Sequence, residues 1–364
     1  MAPAMMDEGV LRAAALGGFW TALDVVASTG STNVDLLARA VADPALPEGQ
    51  VLVAEEQTAG RGRLGRTWTS VPGASLTFSV LLRPATVPAA RRGLLALLTG
   101  VAVASAVRSV TGGDGSGGDG SGSGVDAVLK WPNDVLAGDR KLAGILAEQS
   151  PDGSAVVIGT GINVATPAEA LPVSPTGLAG TSLLAEGATV AREALLLEVL
   201  RQLERWYVAF RADPDPVRTG LLDAYRPLCV TLGQKVRVEL PIGRFMTGVA
   251  RDIDPDGRLL ISDNPGDPPM AISAGDVVHV RPSDGPTMSL WVKTARLRWA
   301  RCPSRCCIRT GRRSRCRSCS RSSSSPSCWS ARCSSRRARR RGSSGSCSPW
   351  SPSCCSCGGS CFRS

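Results

Sequence analysis

The residues best suited to chemistry begin with one short segment, residues 60–68, which reads GRGRLGRTW. Glycine lets a backbone approach a ligand closely, and each arginine carries a planar fork of donors that suits a carboxylate or a phosphate. A cationic loop beside an indole is what an enzyme needs to hold a nucleotide-linked anion. A solvated basic turn has the same composition, so this segment alone leaves both interpretations open.

Polar or cationic groups recur in four further segments. One is a polar turn that precedes a segment with helical spacing, in which Thr32 or Asn33 would make a good N-cap. Helix capping and direct ligand binding are both open for this turn. The other three segments read KWPND at 130–134, KLAGIL at 141–146 and GTGIN at 159–163.

The hydrophobic patterns around these segments predict strands joined mostly by hairpins and interleaved with a few helices. This order favours an α+β fold, with a mixed or antiparallel sheet and flanking helices, over a doubly wound sheet. The loop spells G-x-G-x-x-G, but no helix follows it, which argues against a dinucleotide fold. We expect strands at 51–54, 76–82, 128–131, 141–148 and 155–158, a hairpin connection at 135–140, and helices at 34–41, 89–110, 191–212 and near 215–225.

The sequence predicts two domains and a tail. Five short strands after residue 232, ending at 271–273 and 277–281, indicate a small SH3-like barrel. We therefore expect a catalytic domain at 12–226, with a flexible Gly/Asp/Ser insertion at 112–124, a barrel domain at 228–282, and a disordered tail at 283–364.

Charge is divided unevenly between the body of the chain and the tail. The 364 residues carry a net charge of +11, but the tail holds 18 of the 42 Lys and Arg residues and one of the 31 Asp and Glu residues. Residues 1–282 are therefore mildly acidic, with 24 basic and 30 acidic side chains, and give no reason to expect a nucleic-acid partner. The tail's composition fits the product of a frameshift better than a nucleic-acid-binding segment, although its run at 336–341 is basic enough to contact nucleic acid.

Histidine and cysteine are scarce outside the tail. His279 is the single histidine, which leaves little basis for a Ser-His-Asp triad or a histidine-rich zinc site. Cys229 is the single cysteine before residue 302, as expected of a cytosolic protein without disulfides. The sequence shows no signal peptide and no apolar run that we expect to span a membrane, so we predict a soluble, cytoplasmic protein.

Taken together, the glycine/arginine loop and the KWPND, KLAGIL and GTGIN segments resemble the biotin protein ligases in order and spacing, and the resemblance covers about residues 12–282. It implies a class II synthetase-like catalytic domain with an SH3-like C-terminal domain. It also implies a two-step reaction, in which biotin and MgATP give biotinyl-5′-AMP and pyrophosphate. A lysine of a biotin carboxyl carrier domain, from acetyl-CoA carboxylase or a related acyl-CoA carboxylase, then takes the biotinyl group.

The resemblance also implies site residues. The catalytic residues would be Lys141, which bridges the biotin carboxylate and the α-phosphate, and Arg63, with Asp134 as a candidate ligand of Mg²⁺. The loop would close as a lid over the adenylate. Biotin would contact Ser31, Thr32, Asn33, Gln57, Gly60, Arg61, Gly62, Arg63 and Lys141; ATP or the adenylate would contact Arg61, Arg63, Arg66, Trp68, Asn133, Lys141, Ile162 and Asn163.

The catalytic motifs begin by residue 31, which leaves no room for the helix-turn-helix repressor domain of longer relatives. We therefore expect the short type, without DNA binding or a membrane partner, as a monomer or weak homodimer. Two alternatives remain open. One is a lipoate or octanoyl ligase of the same fold, which would lack the glycine/arginine loop. The other is a non-catalytic, arginine-rich nucleic-acid-binding protein.

Overall fold

The computed structural model describes residues 5–112, 124–171, 177–240, 244–273 and 276–279. The predicted tail at 283–364 and all but the ends of the predicted insertion at 112–124 lie outside these residues. The predicted domain boundaries, 12–226 and 228–282, remain a prediction.

The first sheet has seven strands in the order β1-β2-β3-β7-β6-β5-β4. All neighbouring strands are antiparallel except β1 and β2, which run parallel because helix α2 connects them. The strands are β1 Ala22–Thr29, β2 Gln50–Gln57, β3 Ser75–Leu82, β4 Ala127–Lys130, β5 Asp134–Ala137, β6 Arg140–Gln149 and β7 Val156–Asn163. The helices are α1 Glu8–Ala15, α2 Thr32–Ala42, α3 Leu94–Thr111, α4 Arg192–Ala212 and α5 Leu221–Leu228.

The two faces of this sheet are used differently. In β7, Ile158 and Ile162 belong to the main core, which also contains the buried side of α3 and α4. Val157, on the opposite face, packs with Leu36 of α2 in a smaller cluster. Because strand side chains alternate between faces, the positions of β7 that follow Val157 on this second face are Gly159, Gly161 and Asn163. This part of the second face is left for a cavity.

Helix α3 is apolar on nearly all sides because it lies between the sheet and α4. Ala89–Thr111 is long and apolar enough to cross a membrane, which corrects the expectation that no such run exists. Two-thirds of its most apolar stretch is buried inside the fold, as in the core helix of a soluble protein. The predicted helix at 89–110 is also interrupted: residues 89–91 form a separate 3₁₀ turn.

The second sheet has five antiparallel strands in the order β11-β10-β9-β8-β12. They are β8 Lys235–Leu240, β9 Arg244–Ile253, β10 Leu259–Ser262, β11 Met270–Ile272 and β12 Asp276–His279. The expected fold class is confirmed: α+β, with a mixed sheet and flanking helices, followed by a small SH3-like β unit.

Three predicted element boundaries were wrong. The supposed connection at 135–140 contains strand β5, whose last three side chains are buried, and only Gly138 and Asp139 form the turn. The helix expected near 215–225 begins at Leu221, because Gly220 before it takes a left-handed conformation with φ 73°. The strand expected at 155–158 continues through the GTGIN segment to Asn163, paired with β3 and β6.

The KWPND segment is held from the side of the second sheet. The backbone N–H of Trp131 donates to Thr231 Oγ1 at 3.0 Å, and its indole N–H donates to the carbonyl oxygen of Gly257 at 3.0 Å. The indole is almost fully buried. The residues after Trp131, which enter the first sheet's cavity, are thereby fixed in place.

Candidate functional site

A cavity of about 180 Å³ opens on the face of the first sheet that α2 leaves uncovered. Five parts of the chain enclose it: the N-terminus of α2 with Ser31 before it, the glycine/arginine loop, the KWPND segment, the middle strands of the sheet, and residues 178–180. The predicted site residues that line it are Ser31, Thr32, Asn33, Gln57, Arg61, Gly62, Arg63, Arg66, Trp68, Asn133, Asp134, Lys141 and Asn163.

Two predicted residues do not line the cavity. Ile162 is fully buried in the main core on the other face of β7, because side chains alternate along a strand. Its side chain therefore lies outside the cavity, and the expected contact of Ile162 with the nucleotide stays a prediction. Gly60 lies beneath the loop, where a Cβ would be 2.3 Å from the carbonyl oxygen of Trp68. Its role is to let the two ends of the loop meet.

Glycines form a floor on which the indole of Trp68 rests. A Cβ on Gly161 would be 2.3 Å from Trp68 Cε2, and one on Gly144 would be 3.1 Å from Trp68 Cζ3. The distance at Gly161 is too short for any side chain, so this position requires glycine while the indole stays in place; at Gly144 a side chain would have to push the indole back slightly. The indole nitrogen of Trp68 is buried and has no hydrogen-bond partner among the described residues. The ring is thus one wall of the cavity, with an unused donor.

Lys141 lies at the start of β6 and is anchored through its backbone. Its N–H donates to Ala179 O at 2.7 Å, and its carbonyl accepts from the N–H of Thr181 at 2.8 Å. Its Nζ is 2.6 Å from Asp134 Oδ1 and 5.8 Å from the centroid of the Trp68 ring. The ammonium group therefore stands inside the cavity, beside the indole.

The cavity carries a large excess of positive charge. Its described lining includes five cationic side chains and one acidic side chain, Asp134. Burial lowers the pKa of the Arg63 guanidinium and of the Lys130 ammonium, and Asp134 opposes this in both cases. One carboxylate cannot neutralise five partly desolvated cations, so the cavity favours the binding of anionic ligands that supply the missing negative charge. The cationic residues are Arg61, Arg63, Arg66, Lys130 and Lys141.

The N-terminus of α2, with Ser31 before it, forms the neutral polar end of the cavity. The N–H and hydroxyl of Thr32 donate to Gln57 Oε1 at 2.8 and 3.1 Å, so the amide group of Gln57 is left as a donor. Asn33 Oδ1 accepts from the Ser79 hydroxyl at 2.6 Å. Helix α2 begins at Thr32, and the N-cap residue, Ser31, makes no side-chain capping bond. The expectation that Thr32 or Asn33 caps the helix is therefore wrong.

The glycine/arginine loop folds back on itself above the cavity. Gly62 N–H donates to Arg66 O at 2.7 Å, and Trp68 N–H donates to Gly60 O at 2.9 Å. Leu64, at the tip, has a positive φ of 57° and is 69% exposed. Arg63 reaches inward and donates to Asn133 Oδ1 at 3.2 Å. The loop thus forms a compact flap over the cavity, and the hydrogen bond from Arg63 attaches it to the KWPND segment.

The residue-by-residue predictions missed three groups that the structure adds. Lys130 was part of a recognised motif but received no role. Thr77 projects from the middle of β3, and its buried hydroxyl has no partner among the described residues; nothing in an apolar strand pattern indicates it. Glu148 lies at the end of β6, two residues beyond the KLAGIL segment, and accepts from Asn33 Nδ2 at 2.8 Å.

The described residues contain no group of three or more His, Cys, Asp and Glu side chains placed to hold a metal ion. Mg²⁺ that accompanies a nucleotide usually takes one or two carboxylates and otherwise phosphates and water. Asp134, as the acidic residue in the described lining, fits that limited role.

Comparisons with known proteins agree with this geometry. Residues 25–163 match the Biotin/lipoate A/B protein ligase family, and residues 231–280 match the Biotin protein ligase C terminal domain. Over 279 residues the chain is 41% identical to a biotin--[acetyl-CoA-carboxylase] ligase of Mycobacterium tuberculosis, covering 76% of this chain and 96% of that protein. It is 32% identical over 257 residues to the bifunctional ligase/repressor BirA of Escherichia coli, covering 68% and 70%.

Among solved structures, the chain is similar to a biotin protein ligase from Aquifex aeolicus in complex with biotin and ATP. The TM-score is 0.56 at 26% sequence identity, with 72% of this chain and 100% of that chain covered.

Proposed function

This chain belongs to the biotin protein ligase family, and on that premise we propose that it activates biotin with ATP and transfers it to a lysine of a biotin carboxyl carrier domain. The observation that supports this is the composition of one cavity. A neutral polar turn at one end suits an uncharged ureido ring, and a cluster of cations at the other suits a carboxylate beside phosphates.

In the first step, a biotin carboxylate oxygen attacks the α-phosphorus of ATP. A new P–O bond forms, the bond to the β-phosphate oxygen breaks, and pyrophosphate leaves with the electron pair. The two reacting anions repel each other, so cations must neutralise them as they meet. We assign this to Lys141, which exchanges its contact with Asp134 for oxygens of both reactants, and to Arg63, which is already fixed against Asn133.

The remaining side chains bind the two substrates and exclude water from the intermediate. Gln57, Ser31 and Thr32 offer polar groups to the ureido ring. Trp68 offers a flat surface for the adenine, Asn163 lies beside it in the cavity lining, and Arg61 and Arg66 face the phosphates. Mg²⁺ would neutralise the departing pyrophosphate, with Asp134 as its protein ligand. The loop excludes water from the mixed anhydride.

In the second step, the amine of the carrier lysine attacks the acyl carbon of the adenylate. A C–N bond forms, the C–O bond to the phosphate breaks, and AMP leaves. We propose acetyl-CoA carboxylase or a related acyl-CoA carboxylase as the source of the carrier domain. We also propose a cytoplasmic enzyme that acts as a monomer or weak homodimer. No DNA-binding role is proposed, because residues 1–282 are net negative.

Biotin-dependent ATP–pyrophosphate exchange tests the first step, and the mass of a biotin carboxyl carrier domain tests the second. We expect exchange with biotin and a mass increase of one biotinyl group. Exchange with lipoate or octanoate instead of biotin would overturn the assignment in favour of the sister activity. Absence of exchange with all three, together with RNA binding by a protein truncated at residue 282, would favour the nucleic-acid-binding alternative.

A further inference from the structure

Glu148 contacts two parts of the site that are far apart in sequence. Its Oε2 accepts from Asn33 Nδ2 at 2.8 Å, and its Oε1 lies 3.9 Å from the guanidinium of Arg61. Asn33 belongs to the first turn of α2, and Arg61 belongs to the glycine/arginine loop. One carboxylate on β6 therefore links the polar end of the cavity to the flap that covers it.

The contact with Asn33 fixes the orientation of its amide group. Asn33 Nδ2 donates to Glu148 and to Leu146 O at 3.1 Å, while Oδ1 accepts from the Ser79 hydroxyl. Three of the amide's bonding positions are thus satisfied, and a flip of the group would break the two bonds to Glu148 and Leu146, because both of these partners can only accept. Gly159 leaves the space, since a Cβ there would be 2.3 Å from Asn33 Oδ1.

The position of Asn33 in turn determines where Thr32 lies. Thr32 is the residue before Asn33 in the chain, and its N–H and hydroxyl saturate Gln57 Oε1. The same Ser79 hydroxyl that contacts Asn33 lies 2.7 Å from Thr32 Oγ1. Asn33, Ser79, Thr32 and Gln57 thus form one buried hydrogen-bond network, and Glu148 is its outermost member. This network determines which hydrogen-bond donors face the ureido ring of biotin.

The contact with Arg61 is of a different kind. The Arg61 side chain is 59% exposed and that of Glu148 is 27% exposed, so the pair is solvated and its attraction is screened by salt. Arg61 belongs to a loop with a strong excess of positive charge. A carboxylate below the loop draws it toward β6, over the cavity.

We propose that Glu148 is a positioning residue that couples the biotin-binding turn to closure of the loop. Through Asn33 it sets the affinity for biotin, and through Arg61 it slows the escape of the reactive adenylate. This inference rests on the proposed function, since it deepens the role of the same site.

Three variants separate the two contacts. Glu148→Gln keeps an oxygen acceptor for Asn33 but removes the charge that faces Arg61. Glu148→Ala removes both contacts. Ser79→Ala removes the hydrogen bond on the other side of Asn33 and leaves Glu148 and Arg61 unchanged. Asp24→Ala is the matched control, because Asp24 pairs with Arg12 and Arg39 on the surface and lines no described part of the cavity.

Biotin affinity is measured by calorimetry without ATP, and adenylate escape by the rate at which biotinyl-5′-AMP appears in the filtrate. We expect Glu148→Ala and Ser79→Ala to weaken biotin binding about tenfold, because each leaves a buried amide group unsatisfied. We expect Glu148→Gln to bind biotin within about twofold of the wild type, in line with the retained acceptor. Escape should accelerate in both Glu148 variants and remain normal in Ser79→Ala and Asp24→Ala.

Salt provides a second readout. Escape from the wild type should accelerate between low and high ionic strength. Escape from Glu148→Gln should depend less steeply on salt, because only the attraction between the adenylate and the cationic side chains is left to screen. Equal biotin affinity in Glu148→Ala and the wild type would overturn the first half of the proposal. Normal, salt-dependent escape from Glu148→Gln would overturn the second half. If the wild type itself neither binds biotin nor supports exchange, the proposed function fails instead.

Discussion

Lys141 is the residue on which the proposed first step depends most directly. Its Nζ stands between Asp134 and the Trp68 ring, and its backbone is bonded on both sides to residues 179–181. The backbone contacts do not involve the side chain. The ammonium group can therefore be removed with little disturbance to the strand.

We predict that Lys141→Ala lowers the rate of biotin-dependent ATP–pyrophosphate exchange by at least about a hundredfold, the cost typical of losing one preorganised charge at a transition state. The melting temperature should change little. Arg140→Ala is the neighbouring control, since Arg140 pairs with Glu186 outside the cavity and its loss should leave the rate intact. A normal rate in Lys141→Ala would remove this lysine from the mechanism.

Lys130 illustrates a conflict between stability and function. Burial lowers the pKa of its ammonium group below that of a lysine in water, so the folded state disfavours the positive charge that binds anionic ligands. The cost of burying the charged ammonium group lowers the free energy of unfolding by its full amount at pH values below the pKa that Lys130 has in the folded protein. It declines as the pH rises from there and disappears above the unfolded pKa.

We therefore predict that Lys130→Met unfolds at higher denaturant concentration than the wild type at pH 7 and that this advantage shrinks toward pH 10.5. Each unit of lowered pKa corresponds to about 1.4 kcal/mol in the free energy of unfolding. Lys235→Met, at an exposed position in β8, is the control and should show no such trend. ATP affinity should fall in Lys130→Met alone. An unchanged midpoint at pH 7 would contradict the assignment of a desolvation penalty to Lys130.

At the scale of elements, the site is built where the loop meets three strands. The loop is attached to the KWPND segment through Arg63 and Asn133 and rests on the glycine floor through Trp68. Each attachment can be tested separately, because one holds the flap closed and the other gives the indole its position.

We predict that Arg63→Gly releases biotinyl-5′-AMP faster than the wild type and causes biotin to appear on lysines of bystander proteins. The reason is that the loop loses its inward hydrogen bond and a cation that faces the adenylate. Labelling of serum albumin added to the reaction measures the leak. Bystander labelling at the wild-type level would show that the loop is not the lid.

Gly161→Ala should displace the Trp68 indole, because the added methyl group would be 2.3 Å from the ring. We expect a loss of about 1 to 3 kcal/mol in the free energy of unfolding, as for other overpacked sites, and weaker ATP binding. In a Trp68→Ala background the same substitution should cost little stability. Equal costs in the two backgrounds would mean that the indole does not rest on this glycine.

Sequence patterns predicted the elements better than their ends. Strong hydrophobic periodicity located α4 at 192–212 to within one residue. The four residues of β5 were missed because they lie in a chain segment rich in turn signals, and their burial comes from pairing with β4 and β6. Glycines ended the predicted strand at 158, whereas the sheet tolerates them because Trp68 and Asn33 occupy the space above.

The candidate site was likewise predicted in part. Residue types and the family resemblance identified five of the six charged side chains that line the cavity, because charges and spacing are visible in the sequence. They could not identify Thr77 or Glu148, whose importance lies in which neighbours the fold brings close. Ile162 was named for its place in the GTGIN segment, whereas the alternation of β7 turns its side chain into the main core.

At the scale of the whole molecule, the regions that match the ligase family end well before the chain does. The family matches end at residue 280, while the chain continues for 84 residues that are rich in Arg, Ser and Cys. We predict that truncation after Pro282 retains full exchange activity and improves solubility, because an arginine- and cysteine-rich segment promotes nonspecific association and oxidation. Both proteins should be compared at equal concentration. Loss of exchange after truncation would show that the tail contributes to the enzyme.

The hydrogen bond from the Trp131 indole to Gly257 has a consequence for recombination between relatives. The two matched regions look separable along the sequence, yet this bond and the contact of Gly257 with Leu94 and Leu97 join them inside one packed interface. A chimera with a crossover between residues 228 and 231 would inherit only half of that interface. Exchange of the C-terminal sheet between homologues should therefore succeed only when the surface around Trp131 is exchanged with it.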